Sequence, residues 1–320
     1  MLHTSPRPWP PTNQPPLFLL SVYFCNGKPR PHDLLRPICE QVTALRNKTN
    51  VHIRAVLADA EAHSLVKETV AHSACYGCPK CIMKGIWCPP FKEVSFTNGD
   101  TPPVNHSKYQ SPLRTHAEFM AGDYNGTHRV AEVTHMFPLQ DLNINMIDDV
   151  LVGDDRHLLH LGAVITFFET FTDGGYNVTK MDKDNFDIVK LILCKMNFPH
   201  ERDHGELDKN IPMWPPHTWA YIIDVAGFVA LKASLNEADF EIYCCLHWGI
   251  AICKRTCNER YLSYARRLLK RFVKTWGERT GCVPYCIHSL LHLVDEVRAK
   301  GPLPVNSTDQ AEGKLASTTT

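Results

Sequence analysis

Apolar residues fall in two rhythms along the chain: short unbroken runs near the start, helical spacing after about residue 215. The run Leu17–Phe24 (LFLLSVYF) has strand length and predicts a buried strand. From Asp33 to Arg46 the apolar positions are 34, 35, 38, 42 and 45, the spacing of a helix lying on a sheet. Val51–Ala58 is dense in apolar and β-branched residues and predicts a second strand, ending at Asp59. This β-α-β order predicts a right-handed crossover between parallel strands.

The middle of the chain is less regular. Residues 88–112 are rich in Pro, Asn, Gly and Ser and predict an irregular excursion. A short helix is expected over Thr115–Tyr124 and a short extended piece over Met136–Leu139. Asp154-Asp-Arg-His157 opens an apolar helical segment, LLHLGAVITFFETF. Thr172–Pro216 is broken by Gly174-Gly175, Pro199 and Trp214-Pro-Pro, which predicts a mobile loop with one short helix near Phe186–Met196. Four helices are then expected: Thr218–Lys232, Asn236–Cys253 capped at Asn236, Glu259–Trp276 and Val283–Ala299. On the third, Tyr261, Ala265, Leu268, Leu269, Phe272, Val273 and Trp276 form an apolar side, and Arg266, Arg267, Lys270, Arg271 and Lys274 a basic one. The proline-rich residues 1–16 predict a disordered tail and residues 301–320 a polar, frayed one. The organisation expected is therefore a strand-bearing unit at 17–95, an irregular insertion at 96–216 and a helical region at 217–300.

Composition narrows the function classes. Apolar residues make up 44 % of the 320, enough for a core, and the 34 basic residues balance the 34 acidic ones. A neutral chain carries no global signature of nucleic-acid binding, although nine Lys/Arg between Lys254 and Arg279 make a local basic face suited to phosphates. No apolar run is long enough to span a bilayer, and no cleavage pattern follows Leu17–Phe24, so neither membrane insertion nor secretion is expected. Thirteen cysteines, an odd number, then favour metal binding and buried thiols over a disulfide framework.

Cys78-Pro-Lys-Cys81 supplies two thiolates on a tight turn, half of a tetrahedral zinc site. His288 and His292 stand at i and i+4 on a helix and point the same way, so they suit the other half. Cys75, Cys88, Cys282 and Cys286 are competing donors. Two-metal phosphoryl transfer needs about three carboxylates. Asp59 is well placed at a strand tip, Asp154 and Asp155 sit where a helix N-cap is the plainer role, and Glu312 is one of two acids after the last helix.

Several of these strings resemble blocks of the transposase-domain proteins of the En/Spm (CACTA) type. They are DAEAHSLVKETVAHSACYGCPKCIMKGIW, DDRHLLHLGAV, FVALKASLNEADFEIYCCLHWGIAI and YCIHSLLHLVDEVRAKGPL, in that order. The resemblance implies an α/β fold: an RNase H-like core with a large, mostly α-helical insertion and a zinc knuckle. It implies Zn²⁺ on Cys78, Cys81, His288 and His292, catalytic roles for Asp59 and Glu312 with Mg²⁺, DNA as partner and a nuclear location. The Asp154/His157 block likewise resembles one of that family's blocks. The family's first catalytic Asp and opening strands have no counterpart here, so the core is expected to be incomplete and N-terminally truncated, and the chain an inactive remnant of a DDE strand transferase. The alternative is a non-catalytic DNA- or protein-binding module using the basic helix 259–276.

Overall fold

The computed structural model describes residues 30–97, 108–130, 138–195, 214 and 216–308. Leu17–Phe24, with its crossover, lies outside them, as do Glu312 and most of the polar tail. The chain between is mostly helical, with two small sheets.

Helix α1 (Pro31–Arg46) starts on a proline at its first position, where the missing N–H costs nothing, and buries Leu35, Cys39 and Val42. β1 is only Val56–Leu57, shorter than the eight-residue strand expected, and pairs in parallel with β4 (Val150–Leu151). Asp59 then caps α2 (Ala60–Lys67). β2 (Ile86–Cys88) and β3 (Glu93–Ser95) make an antiparallel hairpin that runs into the start of the stretch expected to be irregular. The proline and glycine content marks the turn but says nothing of the flanks. α3 (His116–Ala121) has Thr115 as its N-cap. The extended piece expected at Met136–Leu139 is instead, in its described part, the start of a 3₁₀ turn, Pro138–Leu142.

Asp154 caps a helix that winds with π-type spacing over Asp155–Val164 and continues as α4 (Ile165–Thr172). α5 is Lys183–Lys195. The expected helix at 218–232 runs from α6 (Pro216–Tyr221) through a π segment, Ile222–Ala226, to α7 (Gly227–Ser234). α8 (Glu237–Arg255) begins at Asn236, whose side chain accepts from Asp239 N at 2.9 Å. α9 (Glu259–Thr280) and α10 (Tyr285–Lys300) complete the helices, and a 3₁₀ turn, Leu303–Asn306, orders the start of the tail.

Three apolar clusters hold these elements. The largest joins the helices from Asp155 onward around Phe167, Phe168, Trp219, Tyr243, Phe272 and Trp276. A second joins α1, α2 and α3 to residues 139–150 through Leu35, Val66, Phe119 and Met146. The third is small: Cys78, Cys81, Met83, Val94 and Phe96. α10 borders this third cluster, because Phe96 N donates to Val283 O at 2.8 Å just before the helix begins. One face expectation fails on α9: Leu262 is buried and Tyr261 is 56 % exposed. Both neighbours are apolar enough to serve, and the packing of α9 on α8 and α10 selects the leucine. No described helix is long and apolar enough to cross a membrane.

Candidate metal centre

α2 ends on Glu68 in the left-handed region (φ 51°), which turns the chain into the loop carrying the cysteines. Gly77 is required there, since a Cβ would lie 2.4 Å from His72 O. The loop closes on itself through Gly85 N donating to Cys75 O at 2.6 Å, and Cys81 N donates to Cys78 Sγ at 3.4 Å. Both thiols are thereby turned inward and are 0 % and 1 % exposed.

α10 supplies the opposing half. His288 and His292, one turn apart, are buried on the same face. Cys78 Sγ lies 3.4 Å from His292 Nε2, and Cys81 Sγ 3.3 Å from His288 Nε2. The two sulfurs are 3.4 Å apart, and so are the two imidazole nitrogens. All four donor atoms fall within 4.8 Å of one another. Four soft or borderline donors converging in a dry site form a set able to hold a metal ion in tetrahedral coordination. The competing cysteines 75, 88, 282 and 286 are not members of this group.

The electrostatics are those of a site that has thiolate character before a metal arrives. Burial opposes ionisation of Cys78, but the hydrogen bond from Cys81 and the nearby His292 and His288 hold its thiol well below the ordinary range. Cys81 is driven well above it by that same hydrogen bond and by burial. The Cys81 thiol donates to the Cys78 sulfur, and metal binding would require both thiols to be deprotonated.

Around the donors is a shell that sequence reasoning missed. Arg114 Nε donates to Cys78 O at 3.1 Å, and Arg114 N donates to Lys80 O at 2.8 Å. Lys67, fully buried, reaches Pro79 O at 3.5 Å. Lys80 Nζ donates to Ile147 O at 2.5 Å and pairs with Glu296 Oε1 at 2.7 Å, both side chains 7 % exposed. Glu296 stands one turn beyond His292 and also accepts from Val152 N at 3.0 Å and Gly153 N at 2.7 Å. Phe96 stacks on His288 at 5.0 Å and 21°. Among the described residues His288 Nδ1 has no hydrogen-bond partner, and this ring contact orients the imidazole. The available signal was a lysine inside the Cys-x-x-Cys turn and a lone acid on the apolar face of α10.

The other expected residues lie elsewhere. Asp59 is exposed, and its Oδ1 accepts from Ala62 N at 2.7 Å as the cap of α2. Asp154 is 2 % exposed and accepts from His157 Nδ1 at 2.5 Å, Thr308 N at 3.1 Å and Thr308 Oγ1 at 2.8 Å. Burial opposes its charge, but these bonds hold its carboxyl below the usual range. Asp154 and His157 line a cavity of about 240 Å³ with His63, His72, Glu93 and Tyr285. Among the described residues, neither Asp59 nor Asp154 joins a group of three metal-ligating side chains.

The basic side of α9 is largely matched by acids. Arg266 pairs with Asp295, Arg271 with Glu241 at 3.0 Å, and Lys274 with Glu278 at 3.8 Å. Arg267 lies over the Tyr264 ring at 5.5 Å.

Comparison with models of protein families, with curated proteins and with solved structures finds no match to the chain.

Proposed function

We propose that the chain is a transposase-related protein in which Cys78, Cys81, His288 and His292 hold a structural zinc ion, and that it does not carry out strand transfer. The observation that carries this reading is the donor geometry. Zinc–sulfur bonds of about 2.3 Å and zinc–nitrogen bonds of about 2.0–2.1 Å imply tetrahedral edges of roughly 3.3–3.8 Å. The four edges named above are 3.3–3.4 Å. Two thiolates would also neutralise the dication, which suits a buried site.

Zinc with four protein ligands offers a crosslink and no open position for substrate. The work of the site is then done by the chain itself. The cysteine turn is held by Arg114 and Lys67, and α10 is held against it by Glu296. The ligand pairs Cys78–His292 and Cys81–His288 are 214 and 207 residues apart, so the staple ties the early part of the chain to its last helix.

The transposase reading is supported by the order and spacing of the Asp59, Cys-x-x-Cys and His-x-x-x-His blocks. In that reading β1, β4 and their flanking helices are part of an RNase H-like core. Inactivity is supported by Asp59, whose carboxylate is taken up in capping α2. Two catalytic magnesium ions need about three convergent carboxylates. Purified chain is expected to contain about one zinc, to lose it in Cys78→Ser or His292→Ala, and to leave terminal-repeat DNA uncut with Mg²⁺ or Mn²⁺. Zinc-free protein with the wild-type fold would remove the staple, and Asp59-dependent nicking would overturn inactivity.

A further inference from the structure

The β2–β3 hairpin carries a second pair of thiol groups, outside the metal set. Cys88 is opposite Glu93 and Ile86 is opposite Ser95. Directly opposed residues share a face and alternate residues return to it, so Cys88, Glu93 and Ser95 lie on one side of the hairpin. The turn into α10 packs on that side. Ser95 Oγ accepts from Val283 N at 2.9 Å, and Phe96 N donates to Val283 O at 2.8 Å. Cys282 is the neighbour of Val283, so the chain brings it to the hairpin side that carries Ser95 and Cys88. Burial first, and then Cys88, raises its thiol's pKa. Cys88 is partly exposed and Cys282 is fully buried, and both are free thiols.

We propose that Cys88 and Cys282 form a redox-responsive dithiol, which a low-molecular-weight disulfide converts into a crosslink between the hairpin and the entry to α10. The step is ordinary thiol–disulfide exchange. The Cys88 thiolate attacks the small disulfide, forms a mixed disulfide and expels one thiolate. The Cys282 thiolate, its proton lost to solvent, then attacks the Cys88 sulfur and expels the second. The two cysteines lose two electrons and two protons, and the small disulfide becomes two thiols. Cys282 needs no contact with the reagent, because its target is already delivered beside it. Burial pushes the Cys282 thiol up to about 12, so the second exchange is the slow one and the adduct on Cys88 precedes the crosslink.

The crosslink would close a loop of roughly 200 residues, the long-closure case in which a covalent clasp most restricts the unfolded chain. It joins the region of the cysteine turn to the start of α10, as the proposed metal staple does, and it does not depend on that staple.

Full-length protein incubated with oxidised glutathione at about pH 8, alkylated and peptide-mapped without reduction, is expected to yield a Cys88–Cys282 peptide pair that dithiothreitol removes. Cys88→Ala, at the partly exposed position, and Cys282→Ser are each expected to abolish the pair, and Cys286→Ser to leave it. In chelator, oxidised wild type is expected to melt at a higher temperature than reduced wild type, with no such rise in Cys88→Ala. A crosslink running to Cys286 or Cys75, or a Cys88 adduct that stays unresolved overnight at about pH 9, would overturn the proposal. The wild-type map decides it even if a variant fails to fold.

Discussion

Glu296 shows how much one buried acid can organise. It pairs with Lys80 in the cysteine turn and accepts two backbone N–H groups from Val152 and Gly153, the residues just before Asp154. Removing it leaves a buried ammonium with the Ile147 carbonyl as its acceptor and no counter-charge, and two N–H donors unmatched. Removing Lys80 leaves the carboxylate with its two N–H partners. Glu296→Ala is therefore expected to cost about 3–5 kcal/mol, and Lys80→Met distinctly less. Urea unfolding of the two variants checks the order, and an equal loss would mean the N–H bonds contribute nothing.

At the scale of elements, helix packing depends on one close approach. A Cβ on Gly249 of α8 would meet Leu269 Cδ2 of α9 at 2.6 Å. Leu269 is 1 % exposed, and its Cγ would also lie 2.8 Å from that Cβ. Gly249→Ala is expected to destabilise by about 1–3 kcal/mol despite better helix propensity, visible as a lowered denaturant midpoint. Gly249 reads in the sequence as a weak point in α8, and only the neighbouring helix explains it. The basic side of α9 makes a similar point. Its charges and the i,i+4 partner of Lys274, Glu278, are legible from spacing, but Asp295 and Glu241, which pair with Arg266 and Arg271 from neighbouring helices, are not. Charge reversal at Arg266 and Arg271, both already paired with acids, is accordingly expected to leave DNA retention at moderate salt unchanged. A loss of salt-dependent binding would restore the binding-module reading.

For the whole molecule, acid is the expected weakness. His128 is fully buried, and burial, Arg114 and Lys67 lower its pKa from 6.5 to about 3. Burial, with Lys67 and Lys80, also holds His63 well below its ordinary value. Both imidazoles stay neutral in the fold and take up protons on unfolding. Their contribution is fully present above pH 6.5 and is lost progressively as pH falls toward 3. Ligand protonation acts in the same direction, because thiolates and neutral imidazoles are needed to bind the metal. Stability measured from pH 7.5 downward is expected to fall steadily in chelator and more steeply with zinc. His128→Gln, which can still donate to Tyr76 O, is expected to flatten the chelator curve.

What could be read along the chain was set by interactions within a few residues. The caps at Asn236 and Asp154, the apolar spacing of α1 and α9, and the four donor residues are all of this kind. Choices between near-equals were not legible: Leu262 rather than Tyr261 inward, or a hairpin at 86–95. Nor was the cationic shell of Lys67, Lys80 and Arg114, since a lone basic residue in a sequence ordinarily faces solvent. The meeting of the cysteine turn with α10 across more than 200 residues was settled only in three dimensions. Local pattern decides which face an element buries. Which two faces then meet depends on the sum of packing, buried charge pairing and loop closure over the whole fold.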